Sequence, residues 1–255
     1  MTGAPAPLLE VAVTSPAGAA AALGAGADRL ELCSALELGG LTPSPALLET
    51  ALEVAARAGR GVHVLVRCRP GDFVHDADEV DLTARDVRHA VRAGAAGVVV
   101  GALRADGTLD AGALRRWVEA AQLQRAGCAV VLHRAVDHAA DPVAAAVAAA
   151  ALGVDGVLSS GGAPTAGAGA DVLRRMARAL GPVPLVAGGG VRPGDVAALL
   201  ATGARAVHLS AKRAADPRGA GGVALGSAGG SARWQTDPVV VAAARAALDA
   251  AAGPG

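Results

Sequence analysis

The sequence predicts an α/β protein in which residues 1–255 form one domain, a single (β/α)8 or TIM barrel spanning about 8–252 with short flexible tails. Three observations support this fold: the length, a recurring glycine–turn–strand unit, and regularly marked helix starts. The 255 residues match the ~250 of such a barrel. Hydrophobic residues make up 53% and aromatics 1%, so Val, Leu and Ala must fill a large core. A flavodoxin-like sheet with extra elements is the alternative fold.

The strands are predicted from the repeated unit and its spacing. Four apolar stretches follow a glycine that ends a helix, where the left-handed cap conformation favours glycine. These units start at Gly26, Gly94, Gly153 and Gly203. Their separation leaves room for one further strand per interval, and we assign those strands to 8–13, 62–68, 129–134 and 183–187. The total is eight strands.

The helices are predicted from their N-caps. An N-cap residue precedes proline at Ser15-Pro16, Ser44-Pro45, Asp141-Pro142 and Asp237-Pro238, and Asp110 and Asp195 are expected to cap two more helices. Alternation of strands and helices favours a parallel sheet, and eight units favour a closed barrel. Long loops are expected after strand 3 (69–80) and after strand 8 (211–236), on the face where barrels build active sites.

The charge balance, the apolar runs and the cysteines of the sequence indicate which partners and which cellular compartment to expect. There are 23 basic and 23 acidic residues, and this balance argues against a nucleic-acid partner. We find neither a signal peptide nor an apolar run suited to a membrane span, and therefore expect no membrane partner. Three widely spaced cysteines fit a reducing, cytoplasmic location.

Side-chain alternation turns polar residues toward the barrel axis, whereas the outward positions are aliphatic. The inward set comprises Glu10, Glu31, Cys33, His63, Arg67, Arg69, His133, His208 and Ser210. Arg134 should face the helices or the rim. Because ordinary barrel interiors are apolar, this set indicates function. We expect His63 to be a core histidine, and His75, His89 and His138 to lie in loops or at the surface.

The inward set is compatible with three interpretations. Glu10 and Glu31, on adjacent strands, would bind Mg²⁺, Mn²⁺ or Zn²⁺ together with His133. Alternatively, Glu and His act as general acid and base while Arg67 holds an anionic group. The third interpretation is a structural ion network of both carboxylates with Arg67.

Two further features point to ligands of other kinds. Gly188 to Asp195 follows the seventh strand and opens a helix, where backbone N–H groups bind phosphate in many barrels. Lys212 is the single lysine and hence the sole candidate for a Schiff base, although a surface role is favoured. A copper site with several thiolate ligands is not supported, because Cys33 is the only one of the three cysteines that is expected to point inward.

Several motifs resemble the CutC family, known as copper homeostasis proteins, over residues 8–250. They are Asp28-Arg-Leu-Glu-Leu-Cys33, Gly39-Gly-Leu-Thr-Pro-Ser44, Arg67-Cys-Arg-Pro-Gly-Asp-Phe73, His133-Arg-Ala-Val-Asp137, Leu158-Ser-Ser-Gly161 and Val207-His-Leu-Ser210. The resemblance implies a TIM barrel, a cytoplasmic location, a homodimer or higher homo-oligomer, and copper as the ion handled. It also implies the pocket residues Glu10, Glu31, Arg67, His133 and Asp137.

Two functions therefore stay open. One is copper binding through Cys33 and a subunit interface. The other is an enzyme for a small anionic or phosphorylated substrate, with or without a divalent metal ion. The candidate catalytic residues are Glu10, Glu31, Arg67, His133 and Asp137; the candidate substrate or anion ligands are Arg69, Asp72, Ser159, Gly188, Gly189, His208 and Ser210; the candidate metal ligands are Cys33, Glu10 and Glu31. The expected partner is a small molecule or a metal ion.

Overall fold

Eight parallel strands form a closed barrel in the computed structural model, which describes residues 6–215 and 234–252. The strands are β1 (Leu8–Val13), β2 (Arg29–Leu32), β3 (Gly61–Leu65), β4 (Gly97–Val100), β5 (Ala129–Leu132), β6 (Gly156–Ser159), β7 (Leu185–Gly188) and β8 (Ala206–Leu209). Each strand pairs with the next in sequence, and β8 closes on β1 in the register Leu9↔Val207. The predicted TIM barrel is confirmed. Of the flexible tails expected on either side of 8–252, residues 1–5 and 253–255 lie outside the described residues.

Helices follow the strands and cover the barrel. They are α1 (Pro16–Gly24), α2 (Pro45–Arg57), α3 (Ala77–Ala93), α4 (Ala111–Gln124), α5 (Pro142–Ala151), α6 (Ala170–Leu180), α7 (Val196–Leu200) and α8 (Pro238–Ala252). The predicted caps Ser15, Ser44, Asp110 and Asp141 accept hydrogen bonds from backbone N–H groups of the first turn. Asp195 does not cap α7 in this way, because its carboxylate accepts from the N–H of Arg192.

The core has two parts, as side-chain alternation predicts. Outward residues of the strands, such as Leu9, Val11 and Leu30, pack against the helices in a large cluster of buried aliphatic side chains. Within the barrel, a smaller cluster includes Leu65, Val131 and four further aliphatic residues together with Cys33. Burying a Leu or Val side chain contributes ~1.5–3 kcal/mol to stability. The two clusters therefore fix the strands, and with them the polar residues that lie at the carboxyl ends of the strands.

Strand ends differ from the predicted ones. The third strand stops at Leu65 instead of residue 68, so Arg67 and Arg69 belong to the following loop. The fifth stops at Leu132, and His133 becomes the N-cap of a short 3-10 helix, Arg134–His138. In β3 and β5, pairing with the next strand therefore ends before Arg67 and His133, and loop contacts position these two residues.

The loop predicted over 211–236 contains regular structure at both ends. A strand β9 (Lys212–Ala214) pairs antiparallel with β10 (Trp234–Thr236). Lys212 Nζ lies 4.8 Å from the centre of the Trp234 ring, a cation–π contact. Residues 216–233 lie outside the described part of the chain. In residues 6–215 and 234–252, none of the helices combines the length and apolar character needed to cross a membrane.

Candidate active site at the barrel mouth

A cavity of about 660 Å³ opens at the carboxyl ends of the strands. Its polar lining is predominantly basic: Arg67, Arg104, Arg134, Lys212, His133, His138 and His208, against Glu31 and Asp72. Leu36, Leu38, Leu65, Phe73, Leu103 and Leu158 supply apolar walls, and Ser210 and Gly189 also line the space. The cavity has the size and the mixture of apolar walls and convergent polar groups that small-molecule sites show.

Three polar residues meet because their strands are neighbours in the closed barrel. Glu10 on β1 is in register with His208 on β8, and Ala12 with Glu31 on β2. His208 Nδ1 lies 2.8 Å from Glu10 Oε1 and 3.7 Å from Glu31 Oε2. Arg29 Nε donates to the second oxygen of Glu10. Both carboxylate oxygens of Glu10 thus have partners within the protein, and Glu31 is the carboxylate of the pair that lines the cavity.

The two carboxylates titrate differently. Burial disfavours the charge on Glu10, but the hydrogen bond from His208 and the charge of Arg29 outweigh burial and hold the pKa of Glu10 well below its usual range. Burial raises the pKa of Glu31 to about 7, with Glu10 adding repulsion and His208 opposing the rise. Burial alone would lower the pKa of His208, but Glu31 and Glu10 raise it. Their different surroundings therefore keep Glu10 ionised and let Glu31 titrate near neutral pH.

Two further histidines are neutral. Burial lowers the pKa of His63 to about 4, and His63 sits in the barrel interior with Nδ1 3.8 Å from Glu10, as expected of a core histidine. Burial and the charge of Arg67 lower the pKa of His133 to about 3. His133 Nδ1 accepts from the N–H of Ala135 at 3.1 Å, so the proton of the neutral ring belongs on Nε2. His133 can therefore donate a hydrogen bond without adding charge.

Arg67 is held by backbone carbonyls instead of carboxylates. Its guanidinium donates to Leu38 O at 3.0 Å, Gly40 O at 3.3 Å and Gly71 O at 2.8 Å, and lies over the Phe73 ring. Burial lowers its pKa, and nearby Arg69 adds to that effect. The proposed ion network of Glu10 and Glu31 with Arg67 is wrong: among the described residues, Arg67 forms no ion pair. A buried cation without a counter-charge is suited to an anionic ligand.

Arg69 does not point into the barrel. Its guanidinium bonds to Glu79 and to Asp72, and it lies outside the cavity lining, because the strand that would have fixed its orientation ends four residues earlier. Asp72 does line the cavity, as expected.

Asp137 does not reach over the pocket. Its side chain is only 3% exposed and is not among the groups that line the cavity. The carboxylate accepts from Ser159 Oγ at 2.6 Å, Ser160 N at 2.9 Å and Gly162 N at 3.2 Å, and pairs with Arg134. Ser159 is accordingly buried and is not a lining residue. Both residues shape the loop after β6 and do not face a ligand.

The glycine-rich turn after β7 contributes only in part. Gly189, with φ +110°, lines the cavity together with Gly190, whereas Gly188 is packed beneath, where an added Cβ would lie 2.5 Å from Leu158 Cδ1. Phosphate binding at this turn stays a prediction. The helix that follows, α7, is only five residues long.

Several lining residues were missed from the sequence. Arg104 lies in the loop after β4, where no strand periodicity indicates orientation. Arg134, expected at the helices or the rim, and His138, expected in a loop or at the surface, come from the 3-10 helix after β5, and neither was named as a ligand-site residue although both line the cavity. Arg29, which contacts Glu10 but does not line the cavity, was also overlooked, although alternation from Glu31 places it on the inner face of β2 and would have revealed it.

Cys33 does not fit a copper ligand at the mouth. Its side chain is 1% exposed and belongs to the barrel interior below the cavity. Burial raises its thiol pKa, and Glu31 and Glu37 add repulsion, so the thiolate form is disfavoured. No thiol or thioether occurs among the described lining residues. Cu(I) prefers those ligands, so the donor set of the mouth does not suit it.

Comparisons with known proteins agree on one family. The CutC family model matches residues 7–213. A CutC family protein of Caulobacter vibrioides is 43% identical over 216 residues, 83% of this chain and 85% of its own length. One from Sinorhizobium medicae is 41% identical over 247 residues, 96% of this chain and 97% of its own.

Solved structures share the barrel. A CutC protein from Streptococcus agalactiae, described as a candidate copper homeostasis protein, superposes with a TM-score of 0.73 at 24% identity and covers 79% of this chain and 97% of that one. Thiamine phosphate pyrophosphorylase from Pyrococcus furiosus gives a TM-score of 0.59 at 15% identity, covering 96% of this chain and 97% of that one. At these identities the likeness concerns the fold alone.

Proposed function

The chain belongs to the CutC family, and from that premise and the geometry of its barrel mouth we propose an acid–base enzyme for a small anionic substrate. One observation carries the proposal. Glu31 Oε2 is buried without a hydrogen-bond partner among the described residues, in a carboxylate that lines a cavity otherwise rich in cationic groups. A buried, unpartnered oxygen is costly for stability, and such costs are concentrated at functional sites.

Glu31 and His208 are the proton-transferring pair in this proposal. The pKa of Glu31, raised to about 7 by burial, lets it gain or lose a proton near neutral pH, which is the condition for efficient general acid–base catalysis. His208 uses Nδ1 for Glu10, so Nε2 is the nitrogen available to a substrate. Glu10 is a positioning residue, because it contacts His208 and Arg29 but does not line the cavity.

Arg67 is the anchor for the substrate's anionic group. Backbone carbonyls fix its planar fork in one orientation, which reduces the entropy lost when a carboxylate or phosphate binds. Neutral His133, 5.2 Å from Phe73 between ring centres, donates from Nε2 to a substrate oxygen. Arg134 and Lys212 add positive charge at the rim, which attracts anions toward the cavity.

A ligand screen tests the proposal. Small carboxylates and phosphates are screened by thermal shift against the wild type, Arg67→Gln and Arg57→Gln, the last an exposed arginine on α2 as a matched control. We expect hits that stabilise wild type and R57Q and bind R67Q at least about tenfold more weakly, as for loss of one charge-assisted contact. Equal binding to all three proteins, or no hit at all, would remove the proposal's support.

Copper handling is the second candidate. Cys33, Cys68 and Cys128 are all free thiols, and Cu(I) favours such ligands. In this candidate, Cys33 would bind copper at an interface of a cytoplasmic homo-oligomer, since the described lining of the cavity supplies no thiol. Because Cys33 is 1% exposed, this route also requires the barrel mouth to open around the thiol when copper binds. Copper titration and light scattering of wild type and Cys33→Ala test it. Unchanged stoichiometry and affinity in C33A would exclude the Cys33 route.

A further inference from the structure

A second cluster of ligand-type side chains lies behind the cavity wall, in the loop between β3 and α3. Cys68 follows Arg67, His75 lies just before α3, and Glu79 is in its first turn. Cys68 Sγ is 3.9 Å from His75 Nδ1, and His75 Nδ1 is 3.5 Å from Glu79 Oε2. One donor atom from each of the three residues lies within 4.8 Å of the others.

We propose that Cys68, His75 and Glu79 bind a borderline divalent transition-metal ion, with Zn²⁺ as its representative. A thiolate, an imidazole and a carboxylate are the three ligand types that Zn²⁺ combines, and three protein ligands leave a fourth position for water. Metal–ligand bonds of ~2.0–2.3 Å in a tetrahedron separate the donor atoms by about 3.3–3.8 Å. The distances of 3.9 and 3.5 Å are close to that spacing. The two anionic ligands also balance the charge of the ion.

The surroundings hold the ligands in position. The His75 side chain is 3% exposed and meets the buried Trp117 ring edge-on, with 5.7 Å between ring centres. Trp117 is itself fixed, because its Nε1 donates to Val80 O at 3.0 Å. Orientation of ligands by such outer contacts is typical of metal sites.

Glu79 is held by the loop's own cation and backbone. Arg69 donates to both of its oxygens, at 3.3 Å for Oε2, and the N–H of Asp76 donates to Oε2 at 3.1 Å. Arg69 also donates to Asp72 Oδ1 at 3.0 Å, so its positive charge is shared between two carboxylates. Both lone pairs of Glu79 Oε2 are in use, so metal binding requires the 3.3 Å contact from Arg69 to Oε2 to be given up, while Arg69 keeps its bond to Oε1.

The site would fasten the loop that forms one wall of the cavity. Residues 71–74 line the cavity, and Cys68 and His75 stand at either end of that segment. A metal ion joining them closes a short loop and restricts Phe73 and Arg67 to their positions, as a cross-link does. In this role the ion cross-links the loop and lies outside the acid–base cluster of Glu10, Glu31 and His208.

Zinc titration of the folded chain tests the proposal, with a competing chromophoric chelator as readout. We expect one equivalent of Zn²⁺ in the wild type and at least about tenfold weaker binding in Cys68→Ser and His75→Gln. The controls are Cys128→Ala, a buried thiol elsewhere, and His89→Gln, an exposed histidine on α3. Both controls should bind as the wild type does. The proposal would be overturned if the wild type bound no zinc, or if C68S and H75Q bound zinc with the affinity of the wild type.

A further variant separates this site from the other candidate cluster. His208→Gln removes a ligand of the Glu10–Glu31–His208 group and should leave the one equivalent intact. Loss of zinc in H208Q with retention in C68S would place the ion at the mouth instead and refute the proposal.

Thiol labelling needs no substitution and covers the case of a variant that fails to fold. Cys68 is partly exposed, whereas Cys33 and Cys128 are buried, so Cys68 should react first with an alkylating reagent. Zinc should slow that reaction by at least about tenfold, because the metal occupies the thiolate. A labelling rate unaffected by saturating Zn²⁺ would contradict binding at Cys68.

Discussion

Glu31 shows how a single buried residue links stability to pH. Its pKa is raised from 4.5 to about 7, so between these values the folded protein keeps a proton that the unfolded chain has lost. The stability from Glu31 is therefore complete below pH 4.5 and is lost as pH rises toward 7, by at most about 3 kcal/mol. Relative to Glu31→Gln, the wild type should lose unfolding free energy between pH 5 and 7.5. Urea denaturation of both proteins at pH 5 and pH 7.5 measures the free energy of unfolding. If the wild type and E31Q change by the same amount between the two pH values, the prediction is wrong.

Asp137 is predicted to matter for stability more than for ligand contact. Its carboxylate accepts several hydrogen bonds from the loop after β6 and pairs with Arg134. Asp137→Asn replaces an acceptor oxygen by a donor, and we expect a loss of about 2–3 kcal/mol in unfolding free energy, as for charged hydrogen bonds.

Asp171→Asn is the matched control for Asp137, because Asp171 is exposed and forms one surface pair with Arg174. Such a pair is worth ~0–1 kcal/mol, so D171N should unfold close to the wild type. Chemical denaturation compares the two variants. A D137N protein as stable as D171N would show that the Asp137 network contributes little.

At the residue level, the sequence predicted the members of the site that lie within strands. Period-two alternation is enforced by the pleat, and hence Glu10, Glu31 and His208 were found. Arg69 was misassigned because it lies beyond a strand end, where side-chain direction depends on loop contacts that no periodicity records. Asp137, a pocket residue implied by the family resemblance, also lies beyond a strand end and contacts the loop after β6 instead. Arg104 was missed for the same reason.

The elements themselves were largely predictable, because their signals are local. A serine or aspartate before proline marks a helix start through a single side chain and a fixed ring. Strand ends were less predictable: β3 and β5 stop where neighbour pairing stops, and pairing is a property of two strands. The antiparallel pair of β9 and β10 was missed, since its three-residue strands are too short for an alternation pattern.

The loop between β6 and α6 offers a test of close packing at the scale of an element. An added Cβ on Gly169 would lie 1.9 Å from Ser160 O, and at Gly161 it would lie 2.4 Å from Gly169 O. The loop thus folds onto its own backbone, which cannot yield as a side chain would. We expect Gly169→Ala to lower the free energy of unfolding by at least about 1–3 kcal/mol, the typical cost of overpacking.

Gly167→Ala serves as the control for that substitution, because an added Cβ there meets nothing within 4 Å. Its stability should match or slightly exceed that of the wild type, since alanine restricts the unfolded chain. Thermal and urea unfolding of both variants give the comparison. If G169A and G167A unfold alike, the close approach of Gly169 to Ser160 is not a constraint on the loop.

The whole molecule combines zero formal net charge with a cationic cavity. The 23 basic and 23 acidic residues cancel over the chain, yet Arg67, Arg104, Arg134 and Lys212 converge on one opening, and the acidic groups among its described lining residues are Glu31 and Asp72. Composition therefore could not predict this local field. It results from barrel closure, which brings the loops after β3, β4, β5 and β8 to the same face.

The local field should make anion binding depend on pH through Glu31. Sulfate keeps its charge between pH 5 and 8, so any change in its affinity reports the protein. As pH falls through about 7, Glu31 takes up a proton and a negative charge disappears from the cavity wall. Sulfate should then bind more tightly at pH 5.5 than at pH 8, by up to about tenfold for ~1.4 kcal/mol of relieved repulsion.

The variant Glu31→Gln assigns that pH dependence to one residue. Its amide carries no charge at either pH, so sulfate affinity in E31Q should stay near the wild-type value at pH 5.5 throughout the range. Raising the ionic strength with chloride should weaken sulfate binding in both proteins, since exposed charges at the rim are screened within ~8–10 Å. Calorimetric titration gives all of these affinities. An E31Q protein that retains the full wild-type pH slope would assign the titration to another group, with His208, whose pKa is also raised, as the one to vary next.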